Sequence, residues 1–442
     1  RDDWGPDLWR DTTRLFVTVH RDDERGAIVG RGLLTISPED FARQLTTMEV
    51  TGPATPAERL RAISRFGAFF TGSLFHTYGG VAVGTGPLAP GAPPRKRRPL
   101  AVPTPEVHPF QTSDAQKLLL TRYRGGEKGP VLLSHGLGVS SRIFSTDTID
   151  TNLLEYLVAN GYDVWLLDSR VSIELPASHR PSTGDELARI DYPEAVSRLL
   201  AITGAESVQM VVHCYGATTF FMAMLAGLQG VRSAVVSQIG AHVDAAPAVA
   251  LKSGLHVPDA LAAIGVESLD TSSDPDLWNR LFDKAVALQP QPREERCDSS
   301  VCHRISFFYS LLYEHDQLTP LTHETLHELF GEANIAAFRH LGVMVRKGHL
   351  VDAAGRDVYM PHVGRLKLPL CFIHGAENAC YLPRSTERTF DWLRAHNGSQ
   401  LYERHVIANH GHIDCIFGKN AATAVYPLVL AHLEKYARPD AR

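Results

Sequence analysis

Long apolar runs are missing from this sequence. No stretch approaches the ~18 apolar residues that a membrane span requires, and the N-terminus "RDDWGPDLWR" lacks the apolar core of a signal peptide. Cysteine is scarce: six residues, at 214, 297, 302, 371, 380 and 415, are too sparse for a disulfide scaffold in 442 residues. A reducing, cytoplasmic setting is the expectation. Charge imbalance is also missing, since a formal net charge of -5 with 21% charged residues leaves no basic footprint for nucleic acid. The sequence starts at Arg1 rather than Met, which reads as a processed product or a piece of a longer polypeptide, so a missing signal says little about compartment.

What is present is ample core. At 44% hydrophobic residues and this length, one large domain plus a smaller one is the natural organisation. "TRLFVTV" and "IVGRGLLTI", separated by a charged turn, read as a hairpin. A helix is expected from "SPEDFARQL", with Ser37 as N-cap and Pro38 at the first helical position, and another from "TPAERLRAISRFGAFF". Residues 1–83 thus form a small α+β module. Residues 84–107, dense in proline and glycine, read as a linker whose "RKRR" is a solvated basic patch.

Beyond the linker, apolar strands alternate with amphipathic helices. Strands are expected at "KLLLTRY", "GPVLLSHG", "GYDVWLLDSR", "SVQMVVHC", "SAVVSQIG", "LPLCFIHG" and "YERHVIA", with helices such as "NLLEYLVANG" and "YPEAVSRLLAITG" between several of them. That pattern indicates an α/β fold, a mostly parallel sheet covered on both faces, over residues 108–240 and 366–442. The intervening 241–365 turn to helical text, including "PDLWNRLFDKAVAL" and "ISFFYSLLYEHDQL". An insertion there would cap the C-terminal edge of the sheet, where ligands bind in such folds.

The chemistry gathers at three places. "VVHCYGATT" is an apolar strand, a tight turn with Cys214 at its apex and a small-residue helix: the context of a nucleophile elbow, with Val212 where the first glycine is usual and Gly216 in the second small position. "VLLSHGLG" puts the amide of Leu137 where it pairs with that of Tyr215 as an oxyanion hole; His135, Gly136 and His213 are expected at the substrate pocket. "VIANHGHIDCIFG", after the last strand, offers His410 and His412, of which His412 is the expected base. The third member is irregular: "HGAENACYLP" has Asn378 where an aspartate is expected, with Glu377 as the alternative. A neutral amide can orient an imidazole that serves a thiol. "RCDSSVCHR" holds Cys297, Cys302 and His303 at a spacing outside the common zinc patterns, so a hairpin disulfide or two free thiols is expected and no metal.

With those residues in place, positions 108–435 resemble the α/β-hydrolase superfamily, most of all its acid-lipase branch, through "HGLGVSSRIF", "LVANGYDVWLLDSR", "HCYGATT" and "GHIDCIFG" in the same order. The resemblance implies serine at Cys214, aspartate at Asn378, histidine at His412 and an oxyanion amide at Leu137. The whole chain is similar to the hydrolase half of bacterial polypeptides fused to a GMC-type, cholesterol-oxidase-like oxidoreductase. This implies an oxidoreductase partner and a lipophilic, polycyclic or polyketide-like substrate. No G-x-G-x-x-G after a strand lies in this chain, so no flavin or other cofactor is expected.

The expected function is a cysteine-dependent hydrolase that cleaves an ester, lactone or thioester of a lipophilic substrate through a thioester acyl-enzyme. An acyltransferase or cyclase is the first alternative, because a thioester is readily attacked by other nucleophiles; polyhydroxyalkanoate synthases also carry cysteine in such an elbow. The second is a non-catalytic ligand-binding module serving an oxidoreductase, which the departures at Val212 and Asn378 favour.

Overall fold

The computed structural model describes residues 14–20, 28–35, 95–259, 268–271, 286 and 292–437. The helices expected from Ser37 and from "TPAERL", and all of the expected helix "PDLWNRLFDKAVAL" except Val286, lie outside these residues. The N-terminal hairpin is present, with β1 (Arg14–His20) antiparallel to β2 (Ile28–Thr35).

The main sheet is built from β3 (Glu106–Gln111), β4 (Lys117–Arg124), β5 (Pro130–Ser134), β6 (Asp163–Asp168), β7 (Val208–His213) and β8 (Val231–Ser237). Two short strands outside the main sheet follow, β9 (Ser268–Leu269) and β10 (Ala333–Asn334), paired with each other. β11 (Leu370–Gly375) and β12 (Tyr402–Ile407) return to the main sheet. Its order is β3-β4-β6-β5-β7-β8-β11-β12. From β6 to β12 every neighbouring pair is parallel; only β3–β4 and β4–β6 are antiparallel. This is the expected mostly parallel sheet.

Every residue of β5, β6, β7 and β11 is buried, as strands covered on both faces must be. The covering helices include α1 (Leu153–Ala159), α2 (Tyr192–Thr203) and α3 (Tyr215–Ala226). α1 starts at Asn152 with a complete capping box to Glu155, and α2 stops at Gly204 in the left-handed region. α4 (Pro247–Gly254), α5 (Ser300–Tyr309) and α6 (Ile335–Lys347) lie in the insertion between β8 and β11 that the sequence reads as a cap, called the cap below, and α7 (Arg384–Asn397) and α8 (Tyr426–Lys435) follow it.

Two expectations need correction. β3 begins inside the expected linker and runs through Pro109; a proline without an amide donor is tolerated there because β3 is the edge strand. "RKRR" is a solvated patch only in part: Lys96 and Arg97 are exposed, whereas Arg95 and Arg98 are half-buried and paired. Arg95 holds Asp147 of the core at 2.6 and 2.7 Å and Glu328 of the cap at 3.0 Å, while Arg98 grips Glu155 at 2.7 Å. Paired carboxylates give these guanidiniums fixed partners, and Arg95 ties cap to core.

Candidate active site

Cys214 stands between the end of β7 and the start of α3 with φ 56 and ψ -125, the strained backbone of a sharp strand-to-helix turn. Gly216 is obligatory here, since a Cβ on it would lie 2.4 Å from the carbonyl oxygen of His135. Val212 is not: it is buried within β7, paired with Ser134 and Val236, and the sheet interior absorbs its side chain.

The loop after β5 closes on the same point. A Cβ on Gly136 would sit 2.9 Å from Cys214 Cβ and 3.2 Å from Sγ, so glycine is what permits the approach. The backbone N–H groups of Tyr215 and Leu137 both address the Cys214 side chain and pull its pKa down. Burial outweighs them and pushes the thiol up to about 12. Two convergent amides at a nucleophile position are the arrangement that stabilises an oxyanion.

His412 lies on the loop after β12, which crosses β11 where a Cβ on Gly375 would fall 1.9 Å from the carbonyl oxygen of Gly411. Its own N–H and that of Ile413 donate to the Leu312 carbonyl at 2.9 and 2.7 Å, which fixes the loop against the cap. The ring meets His213 edge-on at a centroid distance of 5.1 Å. Burial, followed by the neighbouring rings of His213 and His374, holds the His412 pKa well below its ordinary value. Its Nε2 is buried and has no hydrogen-bond partner among the described residues. His410 instead bonds the Ala408 carbonyl and does not line the cavity around Cys214.

Asn378, rather than Glu377, faces the imidazole: its Nδ2 is 3.0 Å from His412 Nδ1, whereas Glu377 is exposed. The direction of that bond is set by the surroundings. Asn378 Oδ1 accepts from the N–H groups of Cys380 and Tyr381, each at 2.9 Å, so the amide nitrogen must point the other way. There Nδ2 also donates to Gln238 Oε1 at 3.0 Å, an oxygen that accepts the Gly375 N–H as well. His412 Nδ1 is therefore an acceptor, and the neutral ring carries its proton on Nε2. An aspartate would accept from Nδ1–H and leave Nε2 free to take a proton; this asparagine holds the opposite tautomer.

Of the three expected pocket residues, Gly136 and His213 line the cavity and His135 does not. His135 is turned into the core, with Nδ1 bonded to the Gly136 carbonyl and Nε2 3.9 Å from Asp168. His213 shares its Nδ1 with Ser237, and burial lowers its pKa to about 3, so it stays neutral. The sequence reading passed over Tyr309, Tyr381 and Gln238. Tyr309 comes from α5, and its buried hydroxyl, without a partner among the described residues, packs against Gly138. Gln238 at φ 79 just beyond β8 is the one with a local signal, an amide interrupting the apolar text "AVVSQIG".

The cavity joining these groups measures about 30 Å³ and is walled by Leu137, Leu312, Phe330, Leu341 and Ile413. A drug-sized ligand needs on the order of 300 Å³, so the cavity as it stands does not hold one. A larger hollow of about 770 Å³ lies between α2, α3 and residues 358–365 and contains none of this chemistry.

The model of the alpha/beta hydrolase fold family matches residues 129–282. Over 135 residues the chain is 31% identical to human lysosomal acid lipase/cholesteryl ester hydrolase, covering 27% of this chain and 34% of that protein. It is 21% identical to human lipase member K over 341 residues, 71% of this chain and 81% of the relative. The chain thus spans about a third of the length of the first of these relatives. A solved lipase in an open form superposes with a TM-score of 0.51 at 12% identity, covering 76% of this chain and all of that one. With the matched segment holding both the Leu137 loop and the Cys214 turn, on a sheet of this order, the chain has the α/β hydrolase fold.

Proposed function

We propose that the protein is a lipase-like ester hydrolase in which Cys214 attacks an ester, lactone or thioester carbonyl of a lipophilic substrate. The observation that carries this reading is the convergence of the Leu137 and Tyr215 amides on Cys214 inside an apolar cavity that His412 also lines. In the reaction His412 takes the thiol proton, the two amides hold the oxyanion, and the alcohol (a thiol from a thioester) leaves with the proton from His412; water then gives a proton to His412 as it attacks the thioester, and the acid is released as His412 returns that proton to the Cys214 sulfur. His412 first has to shift its own proton to Nδ1, against the Asn378 donor. A thiol tolerates this burden better than a serine hydroxyl, because it gives up its proton far more readily. Cysteine at 214 and asparagine at 378 are thus a matched pair.

The Asn378 donor also favours a second reading, a module that binds a lipophilic ester without turning it over. On the whole-chain resemblance, its partner would be an oxidoreductase. The test is intact-protein mass spectrometry of wild type and Cys214→Ala after brief exposure to activated esters and lactones, with leaving-group release followed in parallel. An adduct and a burst confined to the wild type support the hydrolase; binding by both proteins with no adduct in either supports the module. Adding an amine or thiol acceptor distinguishes hydrolysis from acyl transfer or cyclisation.

A further inference from the structure

Away from Cys214, the cap segment gathers a second set of reactive side chains. Cys297, Cys302, His315 and His323 each offer one ligand atom, and these atoms all lie within 4.8 Å of one another. We propose that these four residues form a tetrahedral site for a divalent cation of zinc type, which braces the cap against the His412 loop.

The donor set fits such an ion. Two thiolates and two neutral imidazoles cancel a double positive charge, so the occupied site is neutral and suits its half-buried position. Sulfur and imidazole nitrogen select zinc over calcium or magnesium, which take oxygen ligands. Metal–sulfur bonds of about 2.3 Å and metal–nitrogen bonds of about 2.0 Å put tetrahedral donors under 4 Å apart, a small contraction from the observed spread. Both cysteines are free thiols rather than a disulfide.

The surroundings are those of ligands already aimed. His315 Nδ1 is engaged by Glu295 at 2.5 Å, and its Nε2 faces Cys302 Sγ at 3.4 Å. A carboxylate on the far nitrogen is how a metal-bound imidazole is oriented. His323 packs on His315 with ring centroids 4.9 Å apart, and its Nε2 is buried with no partner among the described residues. A buried ring nitrogen left unpaired is costly unless something fills its lone pair. The Tyr313 hydroxyl donates to Cys302 Sγ at 3.0 Å, a bond that stabilises a thiolate. His303, the third residue of the sequence cluster, bonds the Cys297 carbonyl at 2.8 Å and is not among the four whose ligand atoms lie together.

The position gives the ion a role. The chain between ligands Cys302 and His315 includes Leu312, whose carbonyl accepts the His412 and Ile413 N–H groups, and Glu314, whose N–H donates to Asp414 at 3.1 Å. The same stretch contains Tyr309 and Leu312 of the cavity wall. Closing that loop with a metal holds the strap on which the His412 loop rests.

The test uses the full chain purified without chelator. Elemental analysis is expected to give about one zinc per chain, in keeping with a single four-ligand site. Exchange into cobalt should give the visible bands of a tetrahedral ion together with thiolate-to-cobalt charge transfer. Cys302→Ser and His323→Gln should lose the metal, and Cys214→Ala should keep it, which separates this site from the fate of the acyl-enzyme. Substoichiometric metal after reconstitution, a cobalt spectrum without charge transfer, or a Cys297–Cys302 disulfide in fresh protein would overturn the proposal. The wild-type cobalt spectrum decides the matter even where a variant fails to fold.

Discussion

Asn378 donates to His412 Nδ1 at 3.0 Å, and it cannot turn to accept from that nitrogen without facing its NH₂ toward the Cys380 and Tyr381 amides. One consequence is that His412, the base of the proposed reaction, is held in the less useful tautomer. Another is that a single change should release it. Asn378→Asp puts an acceptor against Nδ1 while still receiving the two backbone donors. Its rate on a chromogenic ester is expected to rise by on the order of 10²- to 10⁴-fold, the upper figure being the loss caused by the reverse replacement in serine proteases. Nitrogen-15 NMR of the imidazole should show the proton moving from Nε2 to Nδ1. No change in rate or tautomer would refute the assignment of the Asn378 bond.

The same relationship makes residues 214 and 378 non-additive. Cys214→Ser alone should be inactive, because a hydroxyl depends more heavily on a base than a thiol does. The double variant Cys214→Ser, Asn378→Asp should recover activity that Cys214→Ser lacks. The check is a double-mutant cycle on kcat/KM; effects that simply multiply would mean that the two positions act independently.

A thiol pushed up to about 12 by burial should also react slowly. At pH 8 the thiolate fraction of such a group is on the order of 10⁻⁴, so Cys214 in wild type should resist iodoacetamide and gain rate about tenfold per pH unit above that. Asn378→Asp should accelerate the reaction at pH 7 to 8 by allowing an imidazolium beside the thiolate. Peptide mapping of the alkylated site against time gives the answer.

Much of this was legible in the chain, and the limits have physical causes. β5, β7 and β11 announce themselves because strands buried on both faces must be continuously apolar, and "HCYGATT" and "NHGHIDC" follow in the order that the fold demands. β3 hid because Pro109 reads as linker when the edge position that tolerates it is unknown. The sense of the Asn378 bond depends on Gln238, 140 positions away, and on two backbone amides whose direction no residue type encodes. The proposed ligand set around Cys297 is not legible in the sequence because His315 and His323 come from a turn at His315–Gln317 and a short helix at Pro320–Glu324, so the histidines are eight positions apart rather than closely paired.

The proposed oxyanion role of the Leu137 loop can be tested without touching a reactive side chain. Gly136→Ala places a methyl 2.9 Å from Cys214 Cβ, so loop and nucleophile must part by a few tenths of an ångström. Loss of one oxyanion donor costs about 10²- to 10³-fold in kcat. That loss is expected with circular dichroism and KM little altered. Gly216→Ala instead meets the His135 backbone at 2.4 Å and should lower stability by about 1–3 kcal/mol or more, which distinguishes a misplaced donor from a broken turn.

Asp414 gives the protein a pH dependence of definite sign. Burial pushes its carboxyl up to about 6, against hydrogen bonds from the Gly411 and Glu314 N–H groups, both made to Oδ2, and against the nearby His410. Its other oxygen, Oδ1, is buried without a partner among the described residues and is where a proton would sit. A carboxyl whose pKa is higher in the folded chain than its ordinary 3.8 binds protons more tightly when folded. Its stabilising contribution is therefore fully present below about pH 4 and is lost as the pH rises through about 6. Asp414→Asn keeps an oxygen for the two amides and cannot titrate. Buried neutral histidines such as His213 and His412 act in the opposite direction, so the reading is a comparison: between pH 7.5 and pH 5 the urea midpoint of Asp414→Asn should fall further, or rise less, than that of wild type. An equal difference in both proteins would show that the pH dependence arises elsewhere.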